Sequence, residues 1–154
     1  MSVAVCALIA TILFFDQFCK FLILKYIGLN TTFDIIKGAF SITPILNPGG
    51  GFGILPNQTF LLITTSLITI IFIICLLLKQ KIKEKLFLFS LAMILAGALG
   101  NLIDRLRLSA VIDFIDFKVW PVFNIADSFI TIGAVILAYA VITGNRTGKQ
   151  SRKP

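Results

Sequence analysis

One stretch limits the possible folds more than any other. Residues 59–78, TFLLITTSLITIIFIICLLL, run twenty positions without a charge. About 20 predominantly apolar residues are what a helix needs to cross the hydrocarbon core of a bilayer. Three further segments read the same way, at 3–25, 86–105 and 124–143. Residues 1–20 lack a basic leader and a small-residue cleavage site, so they read as a retained helix, not a removed signal. The expectation is one integral membrane domain over 1–154, an all-α bundle of four transmembrane helices.

Charge placement orients the bundle. Of 154 residues only 14% are charged and 58% are hydrophobic, against about 25% charged in soluble domains. The net charge of +7 is concentrated in two places. Lys79, Lys81, Lys83 and Lys85 sit in the connection 79–85, and Arg146, Lys149, Arg152 and Lys153 sit in the tail 144–154. Cations beside apolar spans follow the positive-inside bias, which makes both regions and both termini cytoplasmic. Segments 26–57 and 106–123 then lie on the extracytoplasmic face. No basic face alternates with exposed aromatics, so nucleic acid is excluded as a partner.

The extracytoplasmic segments are too apolar for ordinary solvated loops. GAFSITPILN (38–47) reads as a short strand pair or small sheet on the membrane surface. Trp120 and its apolar neighbours suit the interface. Within the third span, Ala92, Ala96 and Gly100 recur every fourth residue, a spacing that lets helix backbones approach closely in lipid.

Ionisable groups inside spans cost at least ~2.5–3.5 kcal/mol each and point to function. Here they are Asp16, Lys20, Asp104, Arg105 and Asp127. Asn101-x-x-Asp104 recurs as Asn124-x-x-Asp127, each pair on one helix face. Asp16 and Lys20 can pair at i, i+4, and Asp104 with Arg105 can do so at the interface, so a purely structural network is an alternative for these four. Asp113 and Asp127 have no cation at helical spacing. The three cysteines, Cys6, Cys19 and Cys75, read as small buried hydrophobes, without metal or redox spacing.

Histidine is absent. That removes a Ser-His triad, a Cys-His pair and an H-E-x-x-H zinc site, and leaves carboxylates. Two aspartates brought together cannot both ionise easily. Sharing one proton, they can act as general base on a water and general acid on a carbonyl. A proton-coupled transporter using Asp104, Asp113 and Asp127 as relays is the alternative, and a non-catalytic scaffold is a third. No internal repeat of the transporter kind is visible across the two halves.

Five blocks in order, DQFCK (16–20), NPGGGF (47–52), GALGNLIDR (97–105), VIDFIDF (111–117) and FNIADS (123–128), make the chain resemble the lipoprotein signal peptidase (signal peptidase II) family. The resemblance implies an intramembrane aspartic endopeptidase with Asp113 and Asp127 as its catalytic dyad. It implies supporting or substrate-binding roles for Asp16, Gln17, Lys20, Asn47, Gly49, Phe52, Asn101, Asp104, Arg105, Asn124 and Ala126. Asp116 is left as a solvated interface residue.

The same resemblance implies an extracytoplasmic β-cradle over roughly 28–57 and a short interfacial helix between the third and fourth spans. The substrate it implies is a prolipoprotein with a diacylglyceryl cysteine, cut on the amino side of that cysteine. Membrane lipids surround the enzyme, which is expected to act as a monomer in the inner membrane without a metal or other cofactor. The fourteen-residue interval from Asp113 to Asp127 is short for the family, which implies a trimmed loop over the site.

Overall fold

The computed structural model describes residues 2–50, 54–79 and 84–150, with side chains as far as 143. Phe52, Lys81, Lys83, Arg152 and Lys153, and the side chains of Arg146 and Lys149, lie outside the described residues. In chain order the elements are α1 (Val3–Tyr26), β1 (Phe33–Ile36), β2 (Phe40–Asn47), α2 (Thr59–Leu78), α3 (Lys85–Leu108), β3 (Val111–Asp116) and α4 (Ile125–Gln150). All four helices are long and apolar enough to cross a membrane, α4 over Ile125–Thr143.

α3 is the axis of the bundle. In its most apolar window 56% of residues are buried, against 17% in each of the other three. Leu91, Ala92 and Leu95 of α3 form a core cluster with Val5 of α1 and Ile70, Ile73 and Leu77 of α2. The small-residue stripe makes this possible. A Cβ added at Gly97 would collide with the carbonyl oxygen of Ala126 and stand 2.7 Å from Ile130 Cγ1. One added at Gly100 would stand 2.6 Å from Asp16 Oδ2. Glycine at Gly97 therefore lets the backbone of α4 lie against α3, and glycine at Gly100 leaves room for the Asp16 carboxylate of α1. The outward faces of α1 and α2 present Phe14, Phe15, Phe18, Phe60, Ile68 and Phe72, as expected where lipid is the solvent.

Three strands form one antiparallel sheet, in the order β1-β2-β3. The strand pair expected within 38–47 is different in detail. Only β2 lies there, and its partner β1 precedes it across a turn in which Gly38 takes φ 75°. The short helix expected between the third and fourth spans is not formed among the described residues. Instead α3 continues to Leu108, three residues past the expected end at 105, and then β3 begins. Arg105 and Arg107 sit in the last turn of α3, where cations favour the helix dipole and do not end the helix. Val111–Asp116 alternates β-branched, aromatic and acidic side chains and completes the sheet against β2.

A bulge in β2 determines which residues share a face. Ser41 and Ile42 pair with Asp116 and Ile115, but Ile45, Leu46 and Asn47 pair with Asp113, Ile112 and Val111. One extra residue is absorbed at Thr43–Pro44, where proline has no N–H to give to the ladder. A one-residue slip reverses every subsequent side chain. The bulge therefore puts Asn47 on the face of the sheet that carries Asp113.

Candidate active site

Asp113, in the middle of β3, is 1% exposed. Its Oδ1 accepts from Asn124 Nδ2 at 2.7 Å and its Oδ2 from Asn47 Nδ2 at 2.8 Å. Asp127, in the first turn of α4, accepts from Asn101 Nδ2 at 2.8 Å. Asn124 links the two acids. Besides Asp113, its side-chain amide reaches Asn101 Oδ1 at 3.1 Å and the Ile112 carbonyl at 3.3 Å.

The chain arrives at Asn124 by a tight return. Phe123 exchanges backbone hydrogen bonds with Ile115, at 2.8 and 3.1 Å, so residues 116–122 close a hairpin over β3. Both carboxylates face one cavity of about 580 Å³. Asn47, Asn101 and Arg105 line it beside them, and Trp120 to Phe123, Ser128 and Ile130 to Ile132 supply its more apolar walls.

Burial pushes the Asp113 carboxyl up to about 7, the charge of Asp127 adds to that rise, and the hydrogen bonds from Asn47 and Asn124 oppose it.

Beneath the cavity lies a compact ion cluster. Lys20 Nζ stands 2.8 Å from Asp16 Oδ2 and 2.7 Å from Asp104 Oδ2. All three residues are at most 2% exposed. Gln17 Nε2 makes a second bridge between the same acids, at 3.1 Å to each, and also donates to the Gly100 carbonyl. The acids also bind backbone: Asp16 Oδ1 accepts the Ala126 N–H at 2.9 Å, and Asp104 Oδ2, the oxygen that meets Lys20, also accepts the Ile112 N–H at 3.3 Å. No buried side-chain nitrogen or oxygen among the described residues lacks a partner, as a buried polar network requires.

Two pairings differ from expectation. Arg105 does not pair with Asp104; its Nη2 donates to the Gly49 carbonyl at 3.2 Å. That fixes the turn after Asn47, whose Oδ1 accepts the Gly49 N–H at 2.9 Å. Neighbours in sequence on a helix diverge by about 100°, so Asp104 faces α1 while Arg105 faces the cavity. Asp116 is not solvated either. It is 8% exposed, with Oδ2 bound to Thr43 Oγ1 at 2.9 Å and Lys118 Nζ at 2.7 Å. The Lys118 ammonium holds its carboxyl below the usual range. It belongs to the opposite end of the sheet from the cavity and staples the bulge to the hairpin.

Ten of the eleven non-acid-dyad positions singled out from sequence lie among the described residues. All ten stand in this network or touch it; Ala126 does so through its backbone. Sequence reasoning missed the cavity wall formed by Trp120, Val122 and Phe123. Trp120 and its apolar neighbours signalled an interfacial segment but not a cavity wall.

Comparisons with known proteins give the chain's family and fold. Residues 8–143 match the family described as Signal peptidase (SPase) II. The chain is 46% identical to a lipoprotein signal peptidase of Caldanaerobacter subterraneus subsp. tengcongensis, covering 88% of this chain and 93% of the relative. It is 37% identical to one from Pelotomaculum thermopropionicum, over 95% and 97%. A bacterial membrane enzyme solved by the in meso method superposes with a TM-score of 0.86 at 28% identity, covering 98% of this chain and 93% of the other. A second such enzyme gives 0.81 at 30% identity, over 90% and 92%.

Proposed function

The chain belongs to the signal peptidase II family, a multi-pass protease of bacterial inner membranes that acts on lipoproteins, and from that premise we propose that Asp113 and Asp127 are its catalytic dyad. Its substrate is a prolipoprotein whose lipobox cysteine carries diacylglycerol, and the bond cut is the one on the amino side of that cysteine.

The observation that carries this reading is the pair of carboxylates itself. They come from separate elements, face one cavity, and are each held by an asparagine amide. With one proton between them, the ionised aspartate takes a proton from water as its oxygen attacks the scissile carbonyl. The protonated aspartate gives its proton to the carbonyl oxygen, yielding a neutral gem-diol. Collapse returns a proton to the departing amine, releases the signal peptide, and leaves the dyad again with one proton. Asn101 and Asn124 hold the carboxylates in place throughout, since neither can ionise.

The cavity walls suit such a substrate. Its polar end holds the dyad and Arg105, while Ile130, Thr131 and Ile132 continue it along α4 into the span. An acyl chain or the apolar part of a signal peptide can remain in lipid while the scissile bond meets the carboxylates. The lysines of 79–85 and the cationic tail support cytoplasmic termini, which puts the dyad at the extracytoplasmic face. The enzyme acts as a monomer.

Purified protein in lipid, given a diacylglyceryl lipobox peptide, is the test. Wild type cleaves it, and Asp113→Asn and Asp127→Asn do not. Cleavage retained by both variants defeats the dyad. A folded wild type that cleaves nothing returns the question to the proton-coupled carrier.

A further inference from the structure

The buried cluster beneath the dyad has a symmetry that its role as a simple ion pair does not require. Asp16 accepts the N–H of Ala126, the residue before Asp127, at 2.9 Å. Asp104 accepts the N–H of Ile112, the residue before Asp113, at 3.3 Å. Lys20 joins the two acids with contacts of 2.8 and 2.7 Å.

A chain of charge-assisted contacts, short at Lys20 and at Ala126 and longer at Ile112, thus runs from the backbone beside one dyad aspartate to the backbone beside the other. It crosses from β3 through α3 and α1 to α4. Such bonds are shorter and stronger than neutral ones, and a fully satisfied buried network holds its members in one geometry. Gly100 leaves the space that Asp16 occupies, since a Cβ there would meet Asp16 Oδ2 at 2.6 Å.

We propose that Lys20 is a positioning residue: its ammonium, shared between Asp16 and Asp104, fixes the backbone from which Asp113 and Asp127 both project and so sets the geometry of the pair. The proposal rests on the dyad assignment above. Lys20 forms no ion pair or hydrogen bond with either dyad carboxylate and is too buried to meet substrate; beyond the charge it adds to the field at Asp113, it acts through the two acids it bridges. The charged groups around the dyad are Asp16 and Lys20 from α1, Asp104 and Arg105 from α3, and the dyad acids themselves from β3 and α4.

The experiment compares kcat, KM and thermal unfolding for wild type, Lys20→Met, Lys20→Arg and Gly100→Ala, with rates expressed per folded molecule. Misplacing a reacting group by about 1 Å can cost about 10²-fold. Lys20→Met is expected to lose about that much in kcat with KM unchanged, and Lys20→Arg, which can still bridge two carboxylates, recovers most of it. Gly100→Ala displaces Asp16 without deleting a charge and loses kcat in the same direction; it serves also if Lys20→Met does not fold.

A kcat per folded molecule that is unchanged in the variants that fold, whatever happens to unfolding temperature, overturns the proposal. So does an equal loss in Lys20→Arg and Lys20→Met. If folded wild type cleaves nothing, the dyad reading fails, and the infrared carboxyl band of Asp113 in Gly100→Ala decides the bridge separately. A shifted titration midpoint supports it, and an unchanged midpoint overturns it.

Discussion

Asn124 and Asp127 cap one another. Asn124 Oδ1 accepts the N–H of Asp127 at 2.8 Å, and Asp127 Oδ2 accepts the N–H of Asn124 at 3.4 Å. This is a capping box at the start of α4, in which two otherwise unpaired helix donors are satisfied reciprocally. The same Asn124 amide donates to Asp113. One residue thus starts the helix, anchors one acid and orients the other.

The cap and the contact with Asp113 can be separated. Asn124→Ala removes both, and should cost about 0.5–2 kcal/mol of stability for the lost cap together with most of the activity. Asn124→Ser keeps a side-chain oxygen able to cap but is too short to reach Asp113. Thermal unfolding near wild type with cleavage still largely lost is the expected result for Asn124→Ser. Cleavage at the wild-type rate in that variant would show that the contact with Asp113 is dispensable.

Asp113 should give stability a particular pH dependence. Its carboxyl is pushed up to about 7 in the folded protein, chiefly by burial, whereas an unfolded aspartate titrates near ~3.9. The unfolded chain therefore releases this proton first, and the folded state loses stability from this site as pH rises from about 4 through about 7. Unfolding temperatures of wild type and Asp113→Asn, measured from pH 4 to pH 8, should diverge in that sense, with wild type losing ground to the variant. A difference that is flat across the interval, or that grows in favour of wild type, contradicts the assigned direction.

Much of this was legible in the residues themselves. Twenty uncharged apolar positions can scarcely do anything but span a bilayer, and intramembrane polar groups are too costly to be scattered at random. Spacing alone placed Asn101-x-x-Asp104 on a helix, whereas Asn124, read in the same way, stands just before α4 and caps it. What spacing could not reveal were contacts between segments distant in the chain. Asp16 reaches the N–H of Ala126 across 110 positions, and Arg105 the carbonyl of Gly49 across 56. Local reasoning offered Lys20 and Asp104 as near neighbours for those groups, correctly for the first and wrongly for the second. That the segment 116–122 walls the cavity was hidden for another reason. Its apolar side chains suit a membrane surface as well as a cavity wall, and only the pairing of Phe123 with Ile115 decides between them.

Asn47 offers a test of the bulge. It donates to Asp113 Oδ2, and that bond draws the Asp113 carboxyl down against the effect of burial. Asn47→Ala should therefore raise the pH at which Asp113 titrates, moving the corresponding limb of the pH–rate profile to the alkaline side. Deleting Thr43 removes the extra residue and turns Asn47 to the opposite face. If the folded deletion variant titrates like Asn47→Ala, the bulge acts by aiming this side chain. A limb that stays in place in Asn47→Ala would mean that the bond has no influence on the acid.

Close packing along α3 can be divided in the same way. Gly97 and Gly133 both lie where α3 and α4 cross, but at different heights. A Cβ at Gly97 would strike the Ala126 carbonyl, next to Asp127. One at Gly133 would meet Ile94 Cγ1 at 2.8 Å and the Ser90 carbonyl at 2.9 Å, further along the helix from the dyad. Overpacking of this kind typically costs about 1–3 kcal/mol wherever it occurs, so Gly97→Ala and Gly133→Ala should both lower the unfolding temperature. Their effects on catalysis should differ. Gly97→Ala pushes on the first turn of α4 and shifts Asp127 relative to Asp113, so its kcat per folded molecule should fall steeply. Gly133→Ala shifts α4 below the site, where the Asp16 and Asn124 contacts still hold the first turn, and should keep most of the wild-type rate. Equal losses of kcat in the two variants would mean that α4 moves as a rigid rod and that its capped end gives the dyad no independent anchorage.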